Sequence, residues 1–239
     1  MLRAVLFDLD DTLFDHAGCA RDALSAVQGC HASLSAMGFD ALERTHAIFL
    51  EQLHADVMLG RVRLDEARRE RFRRLLAACG ADAADDLAAH VAATYRDAYR
   101  DARRAVAGAA ALVAAVRDRA RVGIVSNNLL EEQQEKLRTC ALDRFVDALV
   151  VSEDVGVSKP DPLIFRVALE RLDCGPGEAV MVGDSWNADV AGARAAGIRA
   201  VWFNPGGVRA PDDSASIPQL RAFEPVPDAM RVIFDAHRH

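Results

Sequence analysis

Four short segments carry side chains able to do chemistry together. Asp8-Leu9-Asp10-Asp11-Thr12 supplies carboxylates and a hydroxyl, Ser126-Asn127-Asn128 a hydroxyl beside amides, Lys159-Pro160 an ammonium, and Gly183-Asp184 a further carboxylate with Asp189 five residues on. Asp8, Asp10 and Asp184 have no His or Cys beside them, and hard oxygen donors of this kind select Mg²⁺ over zinc or copper. Carboxylates held close together repel unless a cation or a proton intervenes. Lys159 and Ser126 suit a phosphate, giving a point charge and a hydroxyl near backbone N–H groups. Carboxylates, Mg²⁺ and a phosphate cradle together point to phosphoryl transfer, which rests on positioning and charge neutralisation.

These segments need a scaffold that brings them to one place. Five short apolar runs precede or adjoin them: Ala4–Phe7, Val122–Val125, Ala148–Val151, Val180–Val182 and Ala200–Phe203. None alternates with polar residues, as expected of strands buried on both faces of a parallel sheet. Helix-period stretches lie between them, at Ala109–Asp118, Leu129–Thr139, Ile164–Leu172 and Asp189–Ala196. The expected fold is α/β, a doubly wound, Rossmann-like parallel sheet. Ligands of such sheets bind beyond the carboxyl ends of the strands, where all four segments fall. From about His16 to Arg104 there is no strand pattern, and Leu64–Ala78 reads as an amphipathic helix. The expected division is therefore an α/β core of residues 1–14 and 105–239 with a helical domain, 15–104, inserted after the first strand. The Pro/Gly-rich stretch Asn204–Pro227 reads as loop around a weak final element.

Composition excludes several classes. The 239 residues are 51% apolar and 27% charged with a net charge of −7, a globular profile without the basic face that nucleic acid requires. Five cysteines, an odd number with no CxxC pair, argue against a disulfide framework or a zinc site and fit a reducing compartment. Asp8, Asp10 and Asp11 occupy the place of a signal peptide's apolar region, and no apolar stretch is long enough to span a bilayer. A cytoplasmic protein without nucleic-acid or membrane partners, as monomer or homodimer, is expected. Only two of the 29 basic residues are lysines, Lys136 and Lys159.

In order and in strand context, the four segments resemble the signature motifs of the haloacid dehalogenase-like superfamily, and the helical insert resembles that family's cap. The resemblance implies that Asp8 is the nucleophile, forming an aspartyl-phosphate, and that Asp10 is general acid and then general base. It implies that Ser126 and the backbone around Asn127 bind the phosphoryl oxygens while Lys159 stabilises nucleophile and phosphoryl charge. Asp8, the Asp10 carbonyl and Asp184 would hold Mg²⁺, with Asp189 and Thr12 supporting from behind. Asp10 favours a phosphatase over a dehalogenase, because halide leaves without a proton and an alkoxide does not.

Val151–Pro160 and Gly183–Gly197 look much like the bacterial pyrimidine nucleotidases of the helical-cap branch. The implied activity is hydrolysis of a small phosphomonoester, a nucleoside monophosphate or a sugar phosphate. The alternatives are a phosphomutase of the β-phosphoglucomutase type and a phosphate-responsive binding module without turnover. Of the remaining residues, Asp161 is expected to cap the helix that Pro162 begins. The seven arginines of Arg61–Arg74 are expected to form a solvated face laced with ion pairs. Lys136 is expected on an exposed helix, with no role.

Overall fold

Strands β1 (Ala4–Phe7), β2 (Arg121–Ser126), β3 (Ala148–Val151), β4 (Ala179–Gly183) and β5 (Arg199–Phe203) are almost wholly buried. That burial on both faces is why they read as uninterrupted apolar runs. The computed structural model describes residues 1–211 and 217–235. With a short β6 (Gln219–Leu220) the strands form one parallel sheet in the order β3-β2-β1-β4-β5-β6. The chain leaves β1 towards β2 on one side and β4 on the other, so the crevice at the carboxyl end of β1 is the topological switch point. Residues 212–216 of the Pro/Gly-rich stretch lie outside the described residues.

The chain divides into two compact units, Met1–Asp15 with Arg104–His239, and His16–Arg103. The second contains α1 (His16–Gln28), α2 (Ala32–Ala36), α3 (Phe39–Met58), α4 (Leu64–Ala78) and α5 (Asp85–Asp101) around its own core, which includes Leu24, Leu42, Phe72, Leu75 and Val91. Part of the arginine run behaves as a solvated face. Arg73 and Arg74 pair with Glu70 at 2.6 and 2.7 Å, and the Arg73 hydrogen bond pulls the Glu70 carboxyl down to about 2. Arg71 corrects the expectation, because it turns inward and keeps 8% exposure. It lies four residues after Ala67 and four before Leu75, both buried, so the helical repeat places it on the packed face.

In the first unit, α6 (Ala109–Arg117), α7 (Leu130–Thr139), α8 (Ser152–Val155), α9 (Pro162–Arg171), α10 (Gly192–Ala195) and α11 (Val226–Asp235) accompany the sheet. Asp161 accepts from the Leu163 N–H at 2.8 Å and caps α9 with Pro162 in its first turn. The single helix expected over Asp189–Ala196 is instead a π-helical turn, Trp186–Ala191, running into α10. Wide turns of this kind re-aim side chains at functional sites, and this one carries Asp189. Among the described residues no helix is long and apolar enough to cross a membrane.

Candidate active site

The site is assembled at the ends of three strands. Asp8 follows β1 and donates its backbone N–H to the Val182 carbonyl of β4 at 2.9 Å. The chain then turns sharply: the amides of Thr12, Leu13 and Phe14 all bond the Leu9 carbonyl, and Asp11 takes a left-handed φ of 61°, which a short polar side chain tolerates. This turn brings Thr12 to Asp184. The Thr12 hydroxyl accepts from the Asp184 N–H at 3.1 Å and donates to Asp184 Oδ1 at 3.2 Å.

Lys159 ties the strand ends together. Its Nζ lies 2.6 Å from Asp8 Oδ1, 2.7 Å from Asp189 Oδ1 and 2.7 Å from the Val125 carbonyl at the end of β2. An ammonium has three donors, and all three are engaged. The loop bearing it is pinned by Asn127, whose amide donates to the Lys159 carbonyl at 2.9 Å and accepts from the Lys159 N–H at 2.7 Å. The Asn127 side chain thus holds the lysine in place. Gly183 makes room for Asp189, since a Cβ there would stand 2.3 Å from the Asp189 carboxyl. The second Asp189 oxygen accepts from the Ser185 N–H at 2.9 Å.

The electrostatics follow from burial. Burial pushes the Asp8 carboxyl well above the carboxylate range against the pull of Lys159, and the charges of Asp189 and Asp184 add to the rise. Burial raises Asp184 to about 6, with Asp189 and Asp11 adding to it. Burial alone would discharge Lys159, but Asp189 and Asp8 outweigh it and raise its pKa, so it stays cationic. Three carboxylates, Asp8, Asp184 and Asp189, have ligand oxygens within 4.8 Å of one another, against one ammonium. That excess of negative charge on hard oxygen donors fits a divalent cation such as Mg²⁺.

Asp10 faces the other way, towards α7. Its Oδ1 is 2.5 Å from Lys136 Nζ, and its Oδ2 accepts from Gln133 Nε2 at 2.9 Å and Asn128 Nδ2 at 3.1 Å. Gln133 Nε2 also reaches Ser126 Oγ at 2.5 Å. The expectation for Lys136 is therefore corrected: its side chain is 4% exposed and ion-paired. Sequence reasoning missed Lys136 and Gln133, and it placed Asn128 in the second segment without a role. A signal was present, because Lys136 escapes the arginine bias just as Lys159 does, and Gln133 sits one turn before it on the same helix face.

A haloacid dehalogenase-like hydrolase family profile matches residues 2–197. The chain is 31% identical over 211 residues to a glyceraldehyde 3-phosphate phosphatase of Methanothermobacter thermautotrophicus, covering 85% of this chain and 86% of the relative. It is 39% identical over 98 residues to the pyrimidine 5′-nucleotidase YjjG of Escherichia coli, a match that spans 41% of this chain and 44% of the relative. The magnesium-bound HAD-hydrolase YfnB of Bacillus subtilis superposes with a TM-score of 0.73 at 26% identity, over 96% of this chain and 98% of that one. The motif order, the switch-point cluster and these likenesses agree: the chain belongs to the haloacid dehalogenase-like hydrolases and stands in their phosphatase branch, as a phosphoric monoester hydrolase.

Proposed function

We propose that this chain is a Mg²⁺-dependent phosphatase that hydrolyses a small phosphomonoester through an aspartyl-phosphate on Asp8. The observation that carries the reading is Lys159 Nζ bridging Asp8 and Asp189 at 2.6 and 2.7 Å beside Asp184. In the first step an Asp8 carboxylate oxygen attacks phosphorus, the bond to the leaving oxygen breaks, and Asp10 gives that oxygen a proton. In the second step water attacks phosphorus, Asp10 takes its proton, and the bond to Asp8 breaks to restore the carboxylate. Lys159 holds the nucleophile in place and keeps positive charge where the phosphoryl group crosses. Ser126 donates to a phosphoryl oxygen. Asp8, Asp184 and the Asp10 carbonyl would hold Mg²⁺, which neutralises phosphoryl charge when bound; Asp189 and Thr12 steady Lys159 and Asp184.

Substrate choice is assigned to the helical insert, since the core motifs read only the phosphate. Nucleoside monophosphates and sugar phosphates are the substrate classes favoured, on the names of the Escherichia coli and Methanothermobacter relatives. The reducing composition supports a cytoplasmic setting. The test is phosphate release from p-nitrophenyl phosphate and from a panel of nucleoside and sugar phosphates. Activity is expected to vanish in EDTA, return with Mg²⁺ and return poorly with Ca²⁺, whose looser coordination spoils in-line geometry. Asp8→Asn is expected to lose at least ~10³-fold. Full activity in chelator refutes the metal assignment, and near-normal turnover by Asp8→Asn refutes the covalent scheme.

A further inference from the structure

We propose that Lys136 and Gln133 on α7 are positioning residues that aim the Asp10 carboxyl and the Ser126 hydroxyl, the two polar groups that meet the ester. The inference rests on the phosphatase reading above. Lys136 Nζ lies 2.5 Å from Asp10 Oδ1 with its side chain 4% exposed, and the ring of Phe14 covers it at 5.2 Å from the ring centroid. Asp10 is the acid it pairs with. Lys136 Nζ and Gln133 Nε2 reach different oxygens of Asp10, and two contacts on two oxygens fix the direction of the carboxyl.

The rest follows from donors and acceptors. Gln133 presents its NH₂ to Asp10 Oδ2 at 2.9 Å. The same nitrogen is 2.5 Å from Ser126 Oγ, so its second hydrogen is given to the serine. Ser126 then accepts from Gln133, and its own proton is left to donate to a phosphoryl oxygen. Lys136 thus fixes the place of Asp10, and Gln133, lying between Asp10 and Ser126, sets the direction of the Ser126 hydroxyl.

The other end of the same amide agrees with it. Gln133 is fully buried, and its Oε1 has no hydrogen-bond partner among the described residues. An unpaired buried carbonyl oxygen detracts from stability. Such an orientation is retained where the NH₂ end serves something other than stability. Lys136 exchanges no proton in this scheme. It acts on the place of Asp10, and placement errors of ~1 Å in such groups cost about 100-fold.

The experiment compares two esters that differ in their need for a proton. An alkyl phosphate expels an alkoxide that requires Asp10; p-nitrophenyl phosphate expels a phenolate that does not. kcat/KM is the readout, because it reports the steps up to departure of the leaving group. For Lys136→Met, kcat/KM on the alkyl phosphate is expected to fall ~30-fold or more, and on p-nitrophenyl phosphate by less than about 3-fold. Lys136→Met added to Asp10→Asn is expected to slow the alkyl reaction no further. Gln133→Leu, which releases the Ser126 hydroxyl, is expected to lower kcat/KM about 10-fold on both esters. Should Lys136→Met not fold, Lys136→Arg carries the test through the same selectivity between esters. Equal losses on both esters for the Lys136 variants, or additivity with Asp10→Asn, overturns the proposal. Asp10→Asn keeping full alkyl turnover would instead remove the acid–base reading beneath it.

Discussion

In the α/β unit each buried lysine meets carboxylates: Lys159 touches Asp8 and Asp189, and Lys136 touches Asp10. In the helical unit Arg71 is as deeply buried, but its company is aromatic. Its guanidinium lies 4.9 Å from the ring centroids of both Phe72 and Tyr95, and its Nε has no hydrogen-bond partner among the described residues. Beside these rings, His46 lies tilted against Tyr95 with ring centroids 5.0 Å apart, and its Nε2 also has no hydrogen-bond partner among the described residues. The contrast separates two uses of buried charge. At the strand ends, opposite charges fix one another's positions for chemistry. In the insert, a cation and a neutral imidazole are held by ring faces, which offset only part of the cost of leaving water.

The largest effect is expected where charge is fully paired. Lys159→Arg keeps the charge but replaces a compact ammonium with three acceptors by a wider planar fork. A loss of ~10²-fold or more in kcat is expected with normal folding by circular dichroism. Wild-type turnover by this variant would mean that the geometry around Asp8 does not need an ammonium, and the rim would be no different in kind from the insert.

The second expectation concerns pH and belongs to the insert. Burial, with the charges of Arg71 and His16 adding to it, lowers His46 from its ordinary 6.5 to about 3. The unfolded chain therefore takes up a proton at this residue well before the folded chain does. Stability attached to His46 is complete above about pH 6.5 and falls as pH drops towards 3. At pH 5 the deficit is about 2 kcal/mol, from roughly one and a half pH units at about 1.36 kcal/mol each. Thermal melts from pH 7 to pH 5 should show a falling Tm, with a flatter slope for His46→Gln. Equal slopes would show that His46 is not the group that links acid to the insert.

The smallest effect is expected at Arg71. Arg71→Met removes a buried charge that has no acidic partner among the described residues, and keeps the length of the side chain. Replacements of this kind are often neutral or stabilising, so Tm is expected at or slightly above wild type. A fall of more than a few degrees would mean that the ring contacts to Phe72 and Tyr95 outweigh desolvation.

The same contrast explains what was legible in the sequence. The strands announced themselves because both faces are buried, so Ala4–Phe7 and Ala148–Val151 have the bounds read from apolar pattern alone. The motif residues were legible because each follows such a run, and the sheet brings strand ends together by topology. Asp189 fell within an expected helix, but the π-helical turn that aims it left no trace in hydrophobic period. Lys136 and Gln133 were missed because α7 looks polar all round, and a helix of polar residues reads as solvated until something covers it. Arg71 was missed for the opposite reason. Its place in the Ala67–Leu75 repeat was visible, but a run of seven arginines masked the one that points inward.

The central claim is that Asp8, held by Lys159, attacks phosphorus itself. The most direct test is the stereochemical course at phosphorus, using a phosphorothioate monoester made chiral with ¹⁶O and ¹⁸O and hydrolysed in H₂¹⁷O. Two in-line displacements, first by Asp8 and then by water, each invert the centre, so the inorganic product is expected with net retention. Net inversion would mean a single direct attack by water and would contradict the covalent role of Asp8.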